Sequence, residues 1–330
     1  MPERELTAPV SLTQPDGRLN TDAVGYAREP LVDTSAIGRE GSWGRNKRWE
    51  YWNVMTPHHI VSMAVAALDY AAVHEVWVLE RESGREWRQT ARVIPARDVE
   101  LPRSFDDAPA VARAENLAVT VTPWVDGRSW RLYAEIPDAS FDLTVTRPRP
   151  HDFLAVVVPW SMRRFQYTVK AVALPVLGTI VVEGRPHAVP EGVSWATLDH
   201  GRGRLPYDTR WNWGAAAGAA AGHVIGLQLG GRATAGTGST ENGVFVDGRL
   251  RKISEELVWR YDLGSRSAQW RVSGGGLDAT FTPAYVKSAH VNYGIVASAS
   301  DQLFGTWEGE FDGIRFSGLD GFAEETHRRW

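Results

Sequence analysis

Three segments, L-A-V-T-V-T-P-W (117–124), W-R-L-Y-A-E-I-P (130–137) and S-F-D-L-T-V-T-R-P (140–148), alternate apolar and polar residues, and V-D-G-R (125–128) joins the first two. Alternation with period two places successive side chains on opposite faces of a strand. Asp-Gly between two such runs is a hairpin signal. The pattern continues outward. D-F-L-A-V-V-V-P-W (152–160), F-Q-Y-T-V-K-A-V-A-L-P (165–175) and G-T-I-V-V-E-G (178–184) come next. H-V-I-G-L-Q-L-G-G (223–231), N-G-V-F-V-D-G-R-L (242–250), L-D-A-T-F-T-P (277–283) and Q-L-F-G-T-W-E-G-E-F (302–311) follow. Strand signals every eight to twelve residues, without a strong helical period, predict an all-β protein. Their number is too large for one eight-stranded barrel, so two barrel-like halves are expected, residues 1–155 and 156–330. Ile60 to Glu80 is apolar, and V-H-E-V-W-V-L-E (73–80) tips it toward strands. The best helix candidate is short, Asp106 to Leu117. Residues 1–40 read as an extended lead-in broken by Pro30.

The chain has 330 residues, 36 Lys and Arg against 40 Asp and Glu, and a net charge of -4. With no long basic run, nucleic acid and anionic membrane are not the expected partners. Cysteine is absent, which excludes disulfides, thiolate metal sites and a Cys nucleophile. The charged N-terminus lacks an apolar signal region and no stretch is long enough for a membrane helix, so a cytoplasmic protein is expected. No G-x-S-x-G, P-loop or H-E-x-x-H occurs, and His58-His59 is a lone doublet. No metal or cofactor is expected. Monomer and homodimer are both left open.

Fifteen Trp residues gather partly in two clusters. Residues 195–213, W-A-T-L-D-H-G-R-G-R-L-P-Y-D-T-R-W-N-W, combine three Trp with Asp, His and Arg, and residues 42–53, S-W-G-R-N-K-R-W-E-Y-W-N, form the second. Buried charge needs a partner, and guanidinium–indole stacking offers one shared solution. The two clusters are therefore expected to lie together.

R-W-E-Y-W, V-P-W-S-M-R-R-F-Q-Y-T-V-K, A-T-L-D-H-G-R-G-R-L-P-Y-D-T-R-W-N-W, T-E-N-G-V-F-V-D-G-R-L and the tail G-F-A-E-E-T-H-R-R-W resemble the bacterial domain-of-unknown-function 2804 family from about residue 10 onward. That family is distantly similar to the lipocalin-like superfamily of carotenoid 1,2-hydratases, kievitone-hydratase-like proteins and tocopherol cyclases. The resemblance implies two lipocalin-like β-barrels and a cofactor-free pocket for greasy substrates. W-A-T-L-D-H-G is similar to a hydratase-like motif, but Gly201 stands where that motif often has an acid.

From the residues themselves, Asp199 is the leading acid: a carboxyl among indoles has its charged form desolvated. Tyr207 and Glu241 complete the candidate catalytic set. Trp52, Tyr167, Trp195, Arg202, Arg210, Trp211, Asn212, Trp213 and Asn242 are the candidate substrate-binding residues. The competing reading pairs Asp199 with Arg202 or Arg210 purely to hold the fold. His200 should face away from Asp199 on a strand, and Tyr167 away from Lys170. Asn212 reads equally as a strut, Glu241-Asn242 as a turn, and Glu325, His327 and Trp330 as a solvated tail or a lid. Function divides three ways. The first is a cofactor-independent hydratase, cyclase or isomerase protonating an apolar substrate of isoprenoid or polycyclic type. The second is a non-catalytic carrier of a hydrophobic small molecule, and the third a structural protein whose Trp/Arg cluster cements the halves.

Overall fold

The computed structural model describes residues 3–38, 43–292, 294 and 296–330. Met1, Pro2, Arg39 and Glu40 of the lead-in and Ser42 of the second cluster lie outside them. The protein is all-β. One turn of 3-10 helix, Thr21–Ala23, is the only helix among the described residues.

The first sheet runs from Glu86–Val93 through Ala72–Glu80, His59–Ala67, Lys47–Met55 and Trp195–Arg204 to Arg164–Val182. It continues through Ala139–Thr146, Ser129–Ile136, Leu117–Pro123 and Ala110–Ala114 to Val99–Glu100. Its pairings are antiparallel, as in a chain built from hairpins. Both ends of this curled sheet feed one core, with Val61, Val76, Val119, Leu132, Val157 and Leu198 packed together. A second antiparallel sheet of nine strands, from Asp208–Ala220 to Ile314–Arg329, encloses its own core around Leu227, Trp270, Phe281 and Trp307. Two lipocalin-like halves thus pack together.

Between them lies an apolar seam holding Met55, Trp77, Val172 and Trp213 with Phe245, Phe304 and Phe322. Trp77 stacks on Phe304 at 5.1 Å, and Tyr51 meets Trp213 edge-on at 5.5 Å. Each such aromatic pair contributes about 0.5–1.5 kcal/mol beyond its buried area. A bulge between Ala171 and Leu174, with Ala173 at φ 57°, turns the Arg164–Val182 strand. Val172 there packs so tightly that a Cβ on Gly226 would come within 2.6 Å of it.

Two expectations differ from the structure. The sheets change over at residues 205–207, between Arg204 and Asp208, whereas 155/156 falls inside Leu154–Ser161, which pairs with Arg164–Val182 in the first sheet. The helix expected at 106–117 is instead a loop, the Ala110–Ala114 strand and a hairpin turn at Asn116, whose φ is 57°.

Candidate functional site

The expected meeting of the two Trp/Arg clusters is direct, because Lys47–Met55 and Trp195–Arg204 are neighbouring strands. Trp43, at the edge of its cluster, is exposed. Strand alternation then sorts the side chains. Asp199 and Gly201 face the seam, while His200 and Arg202 face the core of the N-terminal half. In register across three strands stand Lys170, Asp199 and Tyr51.

Asp199 is held by three donors. Its Oδ1 accepts from Thr168 Oγ1 at 2.9 Å and pairs with Lys170 Nζ at 2.9 Å; its Oδ2 accepts from Trp49 Nε1 at 3.1 Å. The ion partner is therefore Lys170, and neither Arg202 nor Arg210. Gly201 has a physical role here: a Cβ on it would lie 1.9 Å from the Trp49 ring. Only glycine leaves room for the indole to lie over the strand and reach Asp199.

Lys170 Nζ also lies 3.4 Å from Glu241 Oε2 and 4.3 Å above the Trp213 ring. Glu241 Oε1 accepts from Gln166 Nε2 at 2.6 Å. Trp213 Nε1 donates to Gln228 Oε1 at 2.9 Å, and Gln228 Nε2 donates to the Glu241 carbonyl at 3.2 Å. Lysine, two carboxyls, two amides and two indoles thus form one network across the halves. Burial pushes the Glu241 carboxyl above its usual range, against the pull of Lys170. Burial also disfavours the Lys170 ammonium, but Asp199 and Glu241 outweigh it and raise its pKa. The cluster is not sealed: the side chains of Asp199 and Glu241 retain 13% and 12% of their exposure, against 6% for Lys170.

The other candidates are dispersed. Trp52, Tyr167 and Arg202 point into the N-terminal half, where His200 Nδ1 meets Glu50 Oε2 at 2.6 Å. Trp211 joins the seam, donating to Glu324 at 2.7 Å beneath Arg328. Trp195 packs with Ala173 and Ala217. Asn212 bonds Tyr261 at 3.0 Å, and Asn242 braces Gly230 and Glu255, so both act as struts of the C-terminal half. Tyr207 and Arg210 are exposed. In the tail, Glu325 pairs with Arg232 and His327 with Asp208. Of Tyr167 and Lys170, which strand parity sets on opposite faces, it is Lys170 that faces Asp199; Gln166, Thr168 and Trp49 join it through a register that no local pattern encodes.

A cleft of about 720 Å³ opens on the C-terminal half, lined by Arg271, Asp278, Glu308, Arg315 and Phe316 among others. Another, of about 330 Å³, lies by His290 and His327. Neither is lined by the seam network. Among the described residues no group of three or more His, Asp or Glu is placed to hold a metal ion, and no helix is long and apolar enough to cross a membrane.

The network draws on both halves, from Trp49 to Glu241, and a family model covers both as well: the domain of unknown function DUF2804 matches residues 3–330. The chain belongs to that family. No curated protein matches it. Among solved structures, the fold is similar to kievitone hydratase from Nectria haematococca, at a TM-score of 0.58 and 11% identity over 99% of this chain and 97% of that one. It is similar also to CghA bound to Sch210972, at a TM-score of 0.56 and 11% identity over 87% and 89%. A Nitrosomonas europaea protein named for AttH aligns at a TM-score of 0.56 and 14% identity over 97% and 98%. These likenesses establish for this family member the two-half fold that its strands display.

Proposed function

We propose that this protein is a cofactor-independent enzyme of the hydratase, cyclase or isomerase kind that protonates an apolar small molecule at the seam between its halves, with Glu241 as the acid. One observation carries the proposal: Glu241 is a largely buried carboxyl with a raised pKa, beside the Lys170 ammonium that itself lies over the Trp213 ring, and it keeps a residual opening to solvent. A carboxyl whose pKa is raised holds its proton more readily than an ordinary glutamate, which suits proton donation to an alkene or enol. Asp199 takes a different part. It holds the shorter contact to Lys170, 2.9 Å against 3.4 Å for Glu241, and accepts from two further donors, Thr168 and Trp49, where Glu241 has Gln166, so its part is to position Lys170. Lys170 in turn steadies the carboxylate left after transfer, and the Trp213 face attracts developing positive charge. The hydratase named among the similar folds agrees with this chemistry.

The test starts from the ligand that co-purifies with the native protein, identified by mass spectrometry, followed by turnover in D2O. Solvent deuterium should enter the product. Glu241→Gln should lower the rate by about 10²–10⁴ while leaving affinity nearly intact. An unchanged rate in Glu241→Gln removes Glu241 from the role.

A further inference from the structure

Arg48 and Arg202 stand directly opposite each other on neighbouring strands, on the face that carries Glu50 and His200 into the N-terminal half. Cross-strand partners have Cβ atoms about 5 Å apart, and like charges so placed repel. Arg202 is fully buried and Arg48 half-buried. Neither is ion-paired among the described residues. Arg202 Nη1 donates to the carbonyls of Trp49 at 3.0 Å and Gly201 at 2.6 Å, and Nη2 to that of Pro102 at 2.9 Å. Its Nε is buried without a partner. The Arg48 side chain makes no hydrogen bond or ion pair among the described residues. The nearest carboxyl along the strand is occupied: Glu50 holds His200 through one oxygen and accepts from Trp52 Nε1 at 3.2 Å through the other.

A dry guanidinium with an unused donor, in cross-strand register with a second arginine and with only the Glu50 and Asp107 carboxyls acting on it, leaves a further anion as the missing group. We propose that Arg48 and Arg202 form a carboxylate site at the mouth of the N-terminal half, beneath the loop 102–107, that takes an apolar monocarboxylic acid. A guanidinium presents its donors in a planar fork that matches a carboxylate. A single negative charge suits the site because Glu50 and Asp106 share this interior, and a dianion would meet them. Burial holds both carboxyls up to about 7, so neither fully neutralises the arginines at neutral pH. An apolar body suits it because Phe105 lies edge-on to His200 at 5.0 Å and to Phe153 at 5.3 Å, with Trp130 behind. Ser104 Oγ ties the loop to the lead-in, accepting from Thr34 N at 3.3 Å and donating to Asp33 Oδ1 at 2.8 Å. Thr34 Oγ1 donates to the Arg103 carbonyl at 2.6 Å, Trp130 Nε1 donates to Asp106 at 2.9 Å, and the Pro102 carbonyl occupies Arg202. An entering carboxylate takes the place of that carbonyl.

This site shares no charged residue with the Glu241 network, meeting it only at Trp49, whose carbonyl faces Arg202 and whose indole faces Asp199, and its test is independent of turnover. Isothermal titration calorimetry on the full chain compares sodium benzoate with benzamide, its uncharged isostere, and with inorganic phosphate. Benzoate should bind saturably and at least about tenfold more tightly than benzamide or phosphate, as charge-assisted paired bonds require. Arg48→Gln should weaken benzoate about tenfold and Arg48→Lys less. Arg202→Gln also severs three carbonyl contacts and threatens the fold, whereas Arg48→Gln severs none. No saturable heat with benzoate, equal binding of benzamide or phosphate, or an Arg48→Gln variant that binds as wild type would each overturn the assignment.

Discussion

Lys170→Met removes the one cation between Asp199 and Glu241 while keeping a side chain of similar length. Unit charges 2.9 and 3.4 Å apart attract by roughly 6 and 5 kcal/mol at an effective permittivity of 20, before desolvation is subtracted. Removing one member of a buried ion pair costs about 3–5 kcal/mol net, because the remaining charge is left dry and unpaired. Urea unfolding at pH 8 should show that loss with an unchanged m-value. The deficit should shrink in acid. Without Lys170 the Glu241 carboxyl rises further above its ordinary value, so the folded variant binds a proton that the unfolded chain releases. Such a group contributes stability below its unfolded pKa and loses it as pH rises through the folded one. Each pH unit by which the Glu241 pKa climbs recovers about 1.4 kcal/mol at low pH. A loss below about 1 kcal/mol at every pH, the range of an exposed pair, would refute the buried network.

Two further outcomes follow from the same geometry. Gly201→Ala drives a methyl into the Trp49 ring and should cost about 1–3 kcal/mol in thermal unfolding, as overpacking does; an unchanged midpoint would show that Trp49 can move aside freely. Glu50, pushed by burial from 4.5 to about 7, makes wild-type stability fall as pH rises from 4.5 through about 7, by up to about 3 kcal/mol. Glu50→Gln should flatten that part of the stability–pH curve, and a curve of unaltered slope would speak against a neutral buried Glu50.

The strands were legible because one-sided burial leaves a period-two trace, as in Ser129–Ile136, where inward Trp130, Leu132 and Ala134 alternate with Arg131, Tyr133 and Glu135. The changeover between halves was not. Leu154–Ser161 opens on an unbroken apolar run, and Arg164–Val182 buries Gln166, Thr168 and Lys170 on one face and apolar residues on the other, so neither gives a sign of its sheet. Residues 106–117 carry alanines that suit a helix locally, and pairing of Ala110–Ala114 with the next strand overrides them. Within the site, parity alone separates Asp199 from Arg202, three residues away, and makes that ion pair unfavourable. The true partner was hidden, since Lys170 reaches Asp199 only through the register of two long strands. The sequence drew attention to Asp199 and Glu241; the neighbours on which their proposed roles rest come from the fold.

The most direct test is the titration of the Glu241 carboxyl. Carbon-13 NMR of protein labelled at glutamate side-chain carboxyls, with Glu241→Gln supplying the assignment, reads it without any substrate. The proposal predicts a midpoint clearly above the ordinary glutamate value of about 4.3, moving higher still in Lys170→Met. A midpoint at or below the ordinary value would leave Glu241 an ionised partner of Lys170 and contradict its role as the acid.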